Sequence, residues 1–236
     1  KDNANFIEKM VLGTAQFGMN YGIANNVGKP TKRKVFEILE YAWEKGIKIF
    51  DTAPGYGSET LLGEFIRING LRNQIKLITK IAPVENMKLF KEHIQIGIEV
   101  SLKNLGAPIE TLFFHNSDNA VLLGLDSEFF RKLKNNNPIS SYGVSIYDPE
   151  DIARHSNYNF KMCFQFPYNV LDQRFSGLDM SNCKKYARSI FLQGVLASKE
   201  RLKNNAPKKL SKFHRKYHQI LSDNNIDPVA FATQFV

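Results

Sequence analysis

Short apolar or β-branched runs alternate with longer stretches whose apolar residues recur at three- and four-residue spacing. The short runs predict strands at Met10–Leu12, Ile47–Phe50, Ile75–Thr79, Thr111–Phe114, Ser141–Val144, Met162–Phe166 and Ala187–Phe191. Between them, Met87, Phe90, Ile94, Ile98, Leu102 and Leu105 form one apolar stripe at helical period. Pro30-Thr31 reads as the start of a helix with Thr31 as N-cap, and Gly46 as its stop. Asn119 is placed to cap a helix running through Leu133, and Asp148-Pro149 opens another. A final helix is expected over Lys208–Ser222, followed by a helical run from Pro228.

Repeated strand–helix alternation predicts an α/β fold with a parallel sheet and helical crossovers. At 236 residues a single (β/α)₈ TIM barrel is the leading architecture. An open doubly wound sheet is the alternative, weakened because no Gly-x-Gly-x-x-Gly follows the first strand. The eighth strand and its loop are not found before Val236, and the connection from Tyr168 to Tyr186 is short for a βα unit. The expectation is therefore one barrel domain over residues 1–236, C-terminally incomplete.

The net charge of +9 comes from scattered basic residues, apart from Lys208, Lys209, Lys212, Arg215 and Lys216. No nucleic-acid reading motif accompanies them, so no nucleic-acid partner is expected; a diffuse positive field suits a phosphate-bearing cofactor or substrate. The two cysteines, Cys163 and Cys183, lack metal-ligand spacing and fit a reducing cytoplasm. No run of about 18 apolar residues suggests a membrane span, and no signal-peptide pattern opens the chain.

The chemistry-bearing residues fall at strand ends. Asp51 closes the run Ile47–Phe50 and precedes Thr-Ala-Pro-Gly-Tyr56-Gly. Lys80 closes the run from Ile75, and His115 the run from Thr111. In a parallel barrel the C-terminal strand ends carry the active site, so these four titratable groups are expected to converge on one face. Singly, each has a plainer reading: a turn-capping aspartate, a solvated lysine, a histidine at the core margin.

In these residues the chain resembles the aldo/keto reductase superfamily. The matching segments are Leu12-Gly-Thr-Ala-Gln-Phe-Gly18, Asp51-Thr-Ala-Pro-Gly-Tyr56-Gly, Ser58-Glu-Thr-Leu-Leu-Gly63, Ile78-Thr-Lys80, Phe114-His115-Asn116, Gly143-Val-Ser145, Gln165-Phe-Pro-Tyr-Asn169 and Ala187-Arg-Ser189. The resemblance implies reduction of an aldehyde or ketone to an alcohol by NADP(H), usually preferred over NAD(H). Tyr56 would be the general acid, Lys80 the cation that stabilises its phenolate, Asp51 the group holding that cation, and His115 the group orienting the carbonyl. No metal is required, because the phenol and the cation polarise the substrate.

The resemblance also places Gly13 and Thr14 under the cofactor, Ser145 and Gln165 at the nicotinamide carboxamide, and Phe191, Leu192 and Gln193 beside the pyrophosphate. Two positions depart from it: Ile146 stands where many members have Asn, and Arg188 where many stack an aromatic ring on the nicotinamide, a cofactor-binding place that its guanidinium plane can also take. Gln16, Phe17, Asn116 and Tyr168 would line the substrate mouth. His115-Asn-Ser and Ala187-Arg-Ser-Ile-Phe-Leu-Gln look most like the subgroup near bacterial surface-polysaccharide genes, which suggests a sugar-derived carbonyl. Two other readings compete: a catalytically silent cofactor- or partner-binding subunit on the same barrel, and a Schiff-base aldolase built on Lys80. The oligomeric state is left open.

Overall fold

The computed structural model describes residues 6–84, 87–124, 127–155, 162–178, 183–200, 202 and 206–236. Its frame is one seven-stranded sheet in the order β1 to β7, every neighbouring pair parallel. The strands are β1 Val11–Gly13, β2 Ile49–Asp51, β3 Lys76–Ile81, β4 Ile109–Phe114, β5 Ile139–Ser145, β6 Cys163–Pro167 and β7 Lys185–Arg188. Among the described residues β7 does not pair with β1, so the curled sheet is a barrel without its eighth strand.

The crossover helices are α1 Lys32–Glu44, α2 Glu59–Ile68, α3 Phe90–Leu105, α4 Ser117–Gly124, α5 Ser127–Asn136 and α6 Glu150–His155. No helix lies between β6 and β7 among the described residues; α7 Lys208–Asp223 and α8 Pro228–Phe235 follow β7. None of the described helices is long and apolar enough to cross a membrane.

Alternation along the strands divides the apolar residues into two sets. Phe50, Leu77, Leu112, Phe114, Val144, Phe164 and Phe166 face the helices and join Leu39, Leu62, Phe65, Ile94 and Ile98 in the main core. Ile78, Phe113, Cys163 and Tyr186, with Val11 and Ile49, fill the interior of the curled sheet. There the Phe113 and Tyr186 rings meet edge-on at 5.5 Å, and the Thr111 and Tyr186 hydroxyls lie 3.1 Å apart. Gly143 makes room for this layer: a Cβ there would lie 2.4 Å from the Cys163 carbonyl oxygen and 2.5 Å from the Phe113 ring.

Helix ends follow the expected chemistry where a local signal exists. Thr31 accepts from the Lys34 N–H, and Asp227 accepts from the Ala230 N–H with Pro228 next to it. Two expectations are corrected. The seventh strand is Lys185–Arg188 rather than Ala187–Phe191, because Ser189, Leu192 and Gln193 take positive φ values of 58°, 43° and 54° and turn the chain. Asn119 does not cap a helix through Leu133: two helices occupy that stretch, and the cap is Asn116, whose Oδ1 accepts from the Asn119 N–H at 3.0 Å. The Asn119 side chain instead ties down Val84, donating to its carbonyl and accepting from its N–H.

Candidate active site

The sheet interior continues upward into a polar layer. Two residues beyond Ile49, Ile78, Phe113, Gly143, Cys163 and Tyr186 stand Asp51, Lys80, His115, Ser145, Gln165 and Arg188. Parallel register keeps side chains of one parity on one face, so the packing that buries the apolar layer also aims these polar residues at one mouth. This is the C-terminal end of the strands, where barrel chemistry is built.

At the centre is an ion pair. The Lys80 ammonium donates to Asp51 Oδ1 and, at 2.9 Å, to the Thr52 carbonyl. The Gln165 amide donates to the other Asp51 oxygen. The Lys80 side chain is 2% exposed and that of Asp51 13%. The Tyr56 ring lies over the ammonium, 5.0 Å from Nζ to the ring centroid. Tyr56 ends a 3₁₀ turn, Pro54–Tyr56, closed by Gly57 at φ +69°.

The turn is held from beneath. Thr14 donates its hydroxyl to the Asp51 carbonyl, and the buried hydroxyls of Thr14, Ser58 and Thr52 form a chain with separations of 2.9 and 3.0 Å. Gly18 approaches so closely that a Cβ there would sit 1.8 Å from the Tyr56 carbonyl oxygen.

His115 follows β4 directly, and its N–H donates to the Ile81 carbonyl at 3.2 Å. Burial holds its imidazole below the ordinary histidine range; the Lys80 and Arg188 charges act in the same direction and Asp51 opposes them. The ring is therefore neutral at pH 7, suited to a hydrogen bond with a carbonyl oxygen.

Ser145 and Gln165 are 1% and 2% exposed, and neither Ser145 Oγ nor Gln165 Oε1 has a protein partner. Buried polar atoms are nearly always satisfied. One free hydroxyl and one free amide oxygen, side by side on β5 and β6, match the acceptor and donor of a carboxamide. Arg188, half-buried at the end of β7, lays its guanidinium over the Tyr147 ring at 4.2 Å and donates to the Ile146 carbonyl at 3.2 Å.

The remaining candidates are dispersed, and the structure does not bring them together with this layer. Gly13, Gln16 and Phe17 line a cleft of about 660 Å³ between β1 and α1, together with Val27, Pro30 and Ile38. Phe17 itself is buried in the main core. The Asn116 side chain is engaged as the α4 cap. Tyr168 stacks on Phe235 at 5.6 Å and shares a hydrogen bond with Ser176. Phe191 and Leu192 pack toward α7 and α8, whereas the Gln193 carbonyl accepts from the Ala24 N–H at 3.2 Å.

Three further residues border this layer without having been expected from the sequence: Ser58 under the turn, Tyr147 under the Arg188 guanidinium, and Tyr21. The Tyr21 phenol is pushed up by burial first and by nearby Tyr56, while Arg188 pulls it down. It sits on the irregular loop after β1, where no periodicity marks it.

A family model described as the aldo/keto reductase family matches residues 9–236. An aldo-keto reductase of Bacillus subtilis is 28% identical over 178 residues, 72% of this chain and 54% of that protein. D-arabinose 1-dehydrogenase of Saccharomyces cerevisiae is 25% identical over 165 residues, 64% of this chain and 47% of that protein. The chain thus spans about half the length of these curated relatives. Among solved structures, glycerol dehydrogenase from Gluconobacter oxydans superposes with a TM-score of 0.69 at 20% identity, covering 94% of this chain and 76% of that one, a likeness of fold.

Proposed function

We propose that this chain, which belongs to the aldo/keto reductase family, carries the site of an NAD(P)H-dependent carbonyl reductase. The observation that carries the reading is the buried Lys80–Asp51 pair with the Tyr56 ring over its ammonium. A reduced nicotinamide, when bound, supplies hydride to the carbonyl carbon. Ser145 would donate to the carboxamide oxygen, and Gln165 Oε1 would accept from its NH₂, which satisfies both unpartnered atoms. Loops carrying Gly13 and Thr14 on one side and Phe191–Gln193 on the other would flank the rest of the cofactor.

As negative charge develops on the carbonyl oxygen, Tyr56 transfers its phenolic proton to it. The phenolate left behind is stabilised by Lys80, which Asp51 and the Thr52 carbonyl hold in place. Neutral His115 donates a hydrogen bond that orients the carbonyl without competing as an acid. The likeness to D-arabinose 1-dehydrogenase supports a sugar-derived carbonyl. The net charge of +9 supports the more anionic NADPH over NADH.

The test is Tyr56→Phe. Turnover of a generic aldehyde should fall by about 10² to 10⁴, the usual scale of general acid catalysis, while nicotinamide fluorescence titration gives parental affinity. Parental turnover in the variant would remove Tyr56 from the mechanism.

A further inference from the structure

We propose that Arg188 makes this mouth selective for carbonyl substrates bearing an anionic group, a carboxylate or a phosphate, remote from the carbonyl. The proposal rests on the carbonyl-reductase reading and names a substrate class for that site.

Charge balance is the first support. Lys80 is neutralised by Asp51. Among the described residues no carboxylate lies within ion-pair distance of Arg188; Asp172, whose field it reaches, is engaged by Arg174 through two bonds of 2.9 Å. Among the described residues Arg188 is thus a charge of the polar layer without an ion-pair partner, on a strand end in register with Pro167 of β6.

Geometry is the second. The guanidinium is fixed in place by the Tyr147 ring at 4.2 Å and by one N–H on the Ile146 carbonyl at 3.2 Å. A guanidinium has five N–H donors in one plane, a shape that matches carboxylate and phosphate oxygens in pairs. A planar fork already oriented loses little freedom when an anion docks.

Position is the third. The Arg188 charge is felt at both Tyr21 and His115, and Tyr21 in turn feels Tyr56. By strand parity Arg188 stands in the same layer as His115, Ser145 and Gln165, at the mouth where a substrate would enter. A half-buried cation with no carboxylate at ion-pair distance among the described residues carries a desolvation cost that an anionic ligand offsets.

The experiment pairs each acid with its neutral ester: succinic semialdehyde with methyl 4-oxobutanoate, and 4-carboxybenzaldehyde with methyl 4-formylbenzoate, all at saturating NADPH. The parent should favour each acid over its ester by about tenfold or more in kcat/KM, the range of a charge-assisted hydrogen bond. Arg188→Gln should bring the ratio to near one, chiefly through KM for the acid, and Arg188→Lys should keep only part of it, because an ammonium has the charge without the planar fork. Both members of a pair meet the same cofactor-loaded enzyme, so a change in cofactor affinity cancels in the ratio. Circular dichroism of each variant checks that it is folded.

Equal use of acid and ester by the parent overturns the proposal. So does an acid preference that survives in Arg188→Gln, or a variant that changes only the NADPH KM, which would assign the cation to the cofactor's phosphates. A parent that reduces esters but not acids overturns the proposal and leaves the reductase reading standing; a parent that reduces neither overturns both.

Discussion

Without its ammonium, the Asp51 carboxylate would stay in place with the Gln165 amide as its remaining side-chain donor. Removing one partner of a buried pair costs about 3–5 kcal/mol, because the other charge stays desolvated and uncompensated. Lys80→Met should therefore lower the urea midpoint and abolish measurable turnover together. Adding Asp51→Asn should recover much of the stability, since the stranded charge is gone, and none of the turnover. Recovery of turnover in the double variant would show that the pair is structural only. Asp51, Lys80 and His115 were legible in the sequence because a strand's period of two fixes which residue follows the core layer. Ser58 was not: its hydroxyl meets that of Thr14, far away in the chain, and nothing near Ser58 in sequence records that contact.

Elements were read well where each segment carries its own signal and badly where a distant partner decides. The cap at Thr31 and the Phe90–Leu105 stripe come from local spacing and are present in α1 and α3. The end of β7 depends on the positive φ values from Ser189 onward, which its residue types do not announce. Gly143 is a case of the same kind, a plain glycine by sequence and a packing requirement in the sheet. Gly143→Ala should cost roughly 1–3 kcal/mol, the usual scale of overpacking, read as a lowered thermal midpoint. Trimming Phe113 to Leu in the same protein should restore only part of it, because the Cys163 carbonyl oxygen at 2.4 Å belongs to the backbone and cannot be trimmed. At α6, buried His155 is linked through Ser117 to Asp151, with separations of 2.9 Å at both steps. Burial lowers its pKa to about 4. The unfolded chain takes up this proton near pH 6.5 and the folded chain near pH 4. Stability should be fully present above pH 6.5 and fall between pH 6.5 and about 4, by about 3 kcal/mol from this group. Urea midpoints across that window should show a shallower slope in His155→Gln; an unchanged slope would assign the acid sensitivity elsewhere.

Across the whole molecule, parallel strands are tied in chain order, while the loops after β1 and β7 approach each other where Gln193 meets Ala24. The proposed cofactor residues include Gly13 and Thr14 on the β1 side and Phe191–Gln193 on the β7 side, with the carboxamide pair in register on β5 and β6. A ligand touching all of these elements binds the folded chain and not the unfolded one, so its binding energy adds directly to stability. At a hundred times its Kd, a nicotinamide cofactor should contribute about 2.7 kcal/mol, or roughly 5–10 °C in Tm for a chain of this size. Scattered basic charge adds a second expectation: NADPH should give the larger shift at equal concentration, and raising ionic strength should narrow its lead over NADH. Ser145→Ala should reduce the shift for both cofactors alike, since the carboxamide is common to them. A molecule whose midpoint moves with neither cofactor would leave the free Ser145 and Gln165 atoms without a ligand and remove the cofactor from the proposed reaction.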